Sequence, residues 1–229
     1  MAKNKQNDTK LSILHCAMKL FLEKGYSQAY VTTIAKQLGI STGNLTFHFP
    51  TKEHLLTEIV NELMVFQNAA DNNEGDEISP VAAYFRELMV IAAVCEENPN
   101  VKDLVTAAYT HSMSLEVIRR YDSQKAVERF GKYCEGWTQK DYIKAESIVS
   151  GIEYAMLMTE HTQGISLEER VSSALYAIMM IYQVPEEEGK VFVEQVLAMD
   201  YHNIGRNVFD MFCEYIGNRI YLGGKTDDL

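Results

Sequence analysis

At 229 residues, with 47 % apolar and 23 % charged side chains and only four prolines, the chain is too long for one small domain and too apolar for a disordered or low-complexity segment. The net charge of −11 argues against nucleic acid as a partner until its distribution is read. Residues 1–54 hold seven lysines against Asp8, Glu23 and Glu53, a net of +4 that leaves −15 on the rest, so a cationic head of 1–54 is joined to an acidic body of 55–229.

A first helix is predicted from a cap at Asp8 or Thr9, because Leu11, Leu14, Met18, Phe21 and Leu22 recur at helical spacing until Gly25 stops them. A short second helix over Val31–Leu38 turns inward Ile34, Ala35 and Leu38, and Gly39 supplies the turn. Ser41 caps a third helix over Thr42–His48 that buries Leu45 and at least one aromatic ring. Pro50 ends it. Thr51 then caps a fourth helix that runs through Leu55, Leu56, Ile59, Leu63 and Phe66 into the body. Asp71–Glu77 is predicted to be a loop, and Pro80 opens a helix through Tyr84, Leu88, Ile91 and Val94. Further helical patterns cover roughly 101–111, 115–136, 140–163, 167–183, 186–199 and 203–222. Strand-like alternation is nearly absent, so the fold class is all-α, a three-helix head and a larger helical bundle.

Several chemistries find no support. The longest apolar-rich run, around Ala174–Tyr182, is far short of a membrane span, and the polar opening MAKNKQNDTK is followed by no secretory apolar segment, which points to the cytoplasm. Cys16, Cys95, Cys134 and Cys213 form no CxxC pair, so buried reduced thiols are expected and no metal site. His111 with Met113, and Met158 with Glu160 and His161, do not share a register that would hold a metal. HExxH, GxSxG, phosphate-loop and Rossmann glycine patterns are missing, so neither enzyme activity nor a cofactor is predicted. The acidic pairs and triplets at Glu168-Glu169 and Glu186–Glu188 fall at helix starts, where the helix dipole favours them.

The second and third helices, joined by a tight glycine turn with small Ala35 at their crossing, have the pattern of a helix-turn-helix. The second helix of such a unit lies in the DNA major groove, where short donors and acceptors reach base edges. Thr42, Asn44, Thr46 and His48 are the candidate readers, Gly43 permits close backbone approach, and Ser41, Thr42 and Lys52 lie at helix starts suited to phosphate. The stretch Ile13-Leu14-x-x-Ala17-x-x-Leu20-Phe21-x-x-x-Gly25-Tyr26, with Ile34-Ala35-x-x-Leu38-Gly39-Ile40-Ser41-x-Gly43-x-Leu45 and His48-Phe49-Pro50-x-Lys52-Glu53-x-Leu55-Leu56, resembles the amino-terminal domain of the TetR family of transcriptional regulators. The resemblance covers about one fifth of the chain. Two positions depart from it: Tyr30 stands where a capping Thr is usual, and Thr46-Phe47 where a Tyr-Tyr or Tyr-His pair is common.

The resemblance implies a homodimer on a pseudo-palindromic operator, usually a repressor, with a small-molecule effector in the body and the fourth helix coupling body to head. It also places Phe47 among the DNA-contacting residues. A single helix-turn-helix touches little DNA, and two set about 34 Å apart meet successive major grooves. Small residues at Ser147, Ser150, Gly151, Ala155, Ser173, Ala174 and Ala177 mark Lys140–Val184 as the expected dimer bundle. Tyr84, Tyr109, His111, Trp137, Tyr154 and Met158 are candidate effector-pocket residues, with ordinary core as the equal alternative for the aromatics. The competing reading is a ligand-binding or scaffolding dimer whose head has lost sequence-specific DNA binding.

Overall fold

The computed structural model describes residues 2–71, 78–159 and 164–223, and among them there are eleven helices and no strand. The head is built from α1 (Ala2–Lys24), α2 (Val31–Gln37) and α3 (Thr42–His48). α4 (Lys52–Asp71) leads into the body, which contains α5 (Pro80–Glu97), α6 (Pro99–Thr110), α7 (Ser112–Phe130), α8 (Gln139–Met158), α9 (Leu167–Ile181), α10 (Glu186–Leu197) and α11 (Tyr201–Gly223). Most of the predicted loop Asp71–Glu77, and Glu160 with His161, lie outside the described residues.

Helix ends follow their capping chemistry. Ser79 Oγ accepts the Ala82 N–H at 3.2 Å ahead of α5, and Asn98 Oδ1 accepts Asn100 and Val101 N–H groups ahead of α6. Pro99 therefore opens α6 rather than merely interrupting the chain. At α9 the Ser166 hydroxyl accepts the Glu169 N–H while the Glu169 carboxylate accepts the Ser166 N–H, a reciprocal capping box that accounts for one of the paired glutamates. The boundaries of α1 and α7 differ most from the pattern. α1 starts at Ala2, with Asp8 inside it, its C=O accepting the Ser12 hydroxyl, so neither Asp8 nor Thr9 caps the helix. α7 ends at Phe130 rather than 136, and a series of turns through Gly136, at φ +78°, replaces its last six predicted residues.

Two apolar cores result. The head core gathers Ile13, Ala17 and Phe21 of α1, Ile34 and Ala35 of α2, Leu45 of α3 and Leu55, Leu56 and Ile59 of α4, and it continues into Leu104 and Ala108 of α6 and Val117 and Ile118 of α7. The body core centres on α5, with Phe85, Met89, Phe130, Val149, Leu175, Ile178 and Tyr182. α10 packs on α5 and α9, and α11 lies along α5 and touches α1 and α4. These two helices thus cover the side of the body around α5, and α11 reaches the head. Gly205 of α11 sits so close to α5 that a Cβ there would meet Val94 Cγ2 at 2.9 Å. Cys95 and Cys134 are buried, Cys16 and Cys213 partly so, and all four thiols are free.

Candidate nucleic-acid interface

The α2–α3 unit is fixed from within. Gly39 adopts φ +65°, and the Ile40 N–H returns to the Ala35 carbonyl at 3.0 Å, closing α2 in a left-handed glycine cap. Ser41, in extended conformation, caps α3 by accepting the Asn44 N–H at 3.1 Å. Leu45 is fully buried and so sets the rotation of α3, leaving Thr42, Gly43, Asn44 and Phe47 exposed on its outer surface.

Gly43 is not demanded by the fold. A Cβ there would meet only Ser41 Oγ, at an ordinary 3.9 Å, so nothing inside the head requires glycine at this position and the surface in front of it is open. Thr46 is half-buried, and its hydroxyl donates to the Gly43 carbonyl at 3.2 Å. Its donor is engaged within the helix. Phe47 is 73 % exposed, and His48, half-buried, stands edge-on to it with ring centres 5.4 Å apart. Tyr30, 61 % exposed, occupies the α2 N-cap without any side-chain capping bond. The departure from a capping Thr thus leaves a bare cap.

Lys52 is placed differently from a phosphate-reaching lysine. Its ammonium donates to the Tyr26 carbonyl and stands 4.1 Å over the Tyr26 ring, and desolvation lowers its pKa, against the opposing pull of Asp103. It ties the start of α4 to the turn between α1 and α2. Thr51 accepts the His54 N–H at 3.4 Å and also pairs with the His54 ring, so the predicted cap of α4 is present.

The same turn is held by the body. Asp103 of α6 accepts the Ser27 N–H at 2.7 Å and the Ser27 hydroxyl at 2.6 Å, and Asn100 donates to the Leu22 and Glu23 carbonyls at the end of α1. Gly25, at φ +79°, passes beneath this latch, where a Cβ would lie 2.6 Å from Asp103 Oδ2. Glu53 of α4 accepts the Met113 N–H at the start of α7. No sequence signal singles out Ser27, Asn100 or Asp103.

The candidate pocket residues do not converge on one place. Tyr84 and Tyr109 do: their hydroxyls donate to the two oxygens of Glu153 at 2.6 and 3.0 Å. Tyr154 lies beside Tyr109, and Met158 accepts the Thr106 hydroxyl at its sulfur. Trp137 packs instead on Tyr142 and Tyr182, and His111 stands at the N-cap position of α7 without a side-chain capping bond, its ring 5.3 Å from Tyr26 of the head. Glu153 belongs to a group of acids in the body that includes Glu146, bonded by the Tyr182 hydroxyl, and Asp122. Burial first, and then a neighbouring carboxylate, raises all three above the usual carboxylate range. The buried Arg129, bonded to Glu87 at 2.9 Å and 4.6 Å from the Tyr84 ring, partly offsets their charge.

Residues 13–59 match the family model for bacterial regulatory proteins of the tetR family. The head is a helix-turn-helix of the TetR type. It is 38 % identical over 82 residues to the uncharacterized HTH-type transcriptional regulator YuxN of Bacillus subtilis (strain 168), covering 34 % of this chain and 28 % of that protein. It is 36 % identical over 86 residues to the HTH-type transcriptional regulator LmrA of the same organism, covering 35 % and 46 %. The chain therefore matches less than half the length of either curated relative. Over a longer span, the fold is that of a TetR transcriptional regulator from Rhodococcus sp. RHA1 (16 % identity, 80 % of this chain and 99 % of that one, TM-score 0.57) and of tylp, a TetR regulator from Streptomyces fradiae (17 % identity, 93 % and 94 %, TM-score 0.55). A TetR-type helical domain therefore follows the helix-turn-helix head.

Proposed function

We propose that the protein is a cytoplasmic, effector-responsive transcriptional repressor that binds a pseudo-palindromic operator as a homodimer. The observation that carries this reading is the outer surface of α3: a fully buried Leu45 fixes the helix so that Thr42, Gly43, Asn44 and Phe47 face outward on a cationic head. Ser41, Thr46, His48 and Lys52 frame that surface, with Lys52 acting through the α4–turn contact unless DNA draws it out.

The dimer forms through α8 and α9. Ser147, Gly151 and Ala155 make an exposed stripe of small residues on α8, flanked by exposed Ile143 and Ile148, and α9 offers Tyr176 and Met180, the latter 81 % exposed. Apolar side chains beside small ones suit close helix packing between two copies, a self-complementary two-fold arrangement. No described helix is long and apolar enough to cross a membrane, so no membrane partner is proposed.

An effector bound differently by two states of the body shifts operator affinity; a coupling of about 1–3 kcal/mol changes it roughly 5- to 150-fold. The reading is tested by selecting bound fragments from a random duplex pool with the full chain at two salt concentrations. A palindromic site whose affinity falls steeply with salt supports it. Unselective binding, or none, refutes it and favours a scaffolding dimer.

A further inference from the structure

Phe47 is an apolar ring at the centre of the face that the proposed function turns toward DNA. Successive helical residues are about 100° apart, so Phe47, two beyond the fully buried Leu45, lies almost opposite the core-facing side of α3. Gly43, one turn earlier on the same face, presents no side chain, and Asn44 flanks the ring. Isolated apolar residues are common on protein surfaces. This one occupies the middle of a reading face whose other members are small or polar, and Thr46 beside it has turned its hydroxyl inward.

We propose that Phe47 is a specificity-determining residue that reads the C5-methyl group of thymine in the major groove, so that each operator half-site carries a thymine facing it. This inference rests on the repressor reading above. A phenyl ring has no hydrogen-bonding group and can neither bind a phosphate nor address the polar edges of the bases. Among the four bases only thymine adds an apolar group to the major groove, and the minor groove has none. The bare surface at Gly43 lets the helix backbone come close enough for the ring to lie against that methyl. His48, edge-on at 5.4 Å, limits the directions in which the ring can swing.

The test uses the full chain and the operator obtained by selection. Each thymine of one half-site is replaced in turn by deoxyuridine, which removes only the methyl group. At one or two positions the loss should be roughly fourfold, the weight of about one buried methyl-sized group. Phe47→Ala should bind the parent operator correspondingly less well and be indifferent to deoxyuridine there, while Phe47→Leu, still apolar, should keep the sensitivity. Because Phe47 is exposed, both variants should melt like the parent protein. The inference is overturned if no thymine responds to loss of its methyl, or if Phe47→Ala responds as the parent does. Failure to select any site would sink the repressor reading and this one together, whereas a selected site insensitive to deoxyuridine would sink this one alone.

Discussion

The latch between Asp103 and Ser27 sets how firmly the head is held on the body, and Asp103→Ala removes it without touching either apolar core. Two bonds to a carboxylate are lost, at 2.7 Å from the Ser27 N–H and 2.6 Å from its hydroxyl. Bonds to charged groups contribute about 1.5–3 kcal/mol each when sheltered, but Ser27 is exposed and water can replace the lost partner, so about 1 kcal/mol each is the better figure. About 2 kcal/mol corresponds to a roughly 30-fold rise in the opening of the turn. Amide hydrogen exchange on the full-length protein measures this directly: the Ser27 amide should exchange about 30-fold faster, while amides in α5 and α8 stay unchanged because the opening is local. Asp103→Asn, which keeps one carbonyl acceptor, should show roughly a fivefold effect. If Ser27 exchanges equally in parent and Asp103→Ala, the Asp103 bonds contribute nothing to holding the turn, which then rests on its other contacts, Lys52 on the Tyr26 carbonyl and Asn100 on the end of α1.

Lys52→Ala removes an ammonium bonded to the Tyr26 carbonyl and seated on its ring, and should lower the unfolding free energy of the head by about 1–2 kcal/mol, read by thermal or urea denaturation. Met180→Asp places charge on the most exposed apolar residue of α9 and should convert the dimer to monomer in sedimentation experiments, with the helical signal retained. Glu146 and Glu153 are pushed up to about 8 and about 7 from an ordinary 4.5, so they hold protons more tightly folded than unfolded. Their contribution to stability is full below about pH 4.5 and is lost as pH rises toward 8, so the melting temperature of the body should fall over that window and Glu153→Gln should flatten the fall.

The head was readable because each local signal there agrees with its neighbours. Gly25 and Gly39 both take left-handed backbone at the two turns, Ser41 caps where a cap was expected, and Leu45 is buried while Asn44 is not. The placement of Lys52 was not readable, because position at a helix start says nothing about which way a long side chain folds, and its ammonium lies on a carbonyl and an aromatic ring in a turn 26 residues earlier. The body was readable only as helices. Its buried acids leave only a trace in the sequence: on α8, Glu146 and Glu153 fall among Tyr142, Val149 and Met156, carboxyl groups inserted into an otherwise apolar stripe. Their partners Tyr84, Tyr109 and Tyr182 lie 36 to 69 residues away in the chain, and nothing local to α8 announces them.

The position of α6 changes how body and head are joined. Resemblance to the family made α4 the helix that couples body to head, and α6 adds a second attachment, held at both ends: Asn100 and Asp103 hold the head, while Thr106 and Tyr109 hold Met158 and Glu153 of α8. Six residues separate Asp103 from Tyr109, about 9 Å along a helix less than four turns long, too short to bend appreciably. A displacement at Glu153 large enough to carry Tyr109 with it therefore reaches Ser27 as movement of one rod. α8 is also the helix proposed to meet the partner subunit, so a change at Glu153 acts on a segment already anchored by the dimer. The head is then the end that is free to shift.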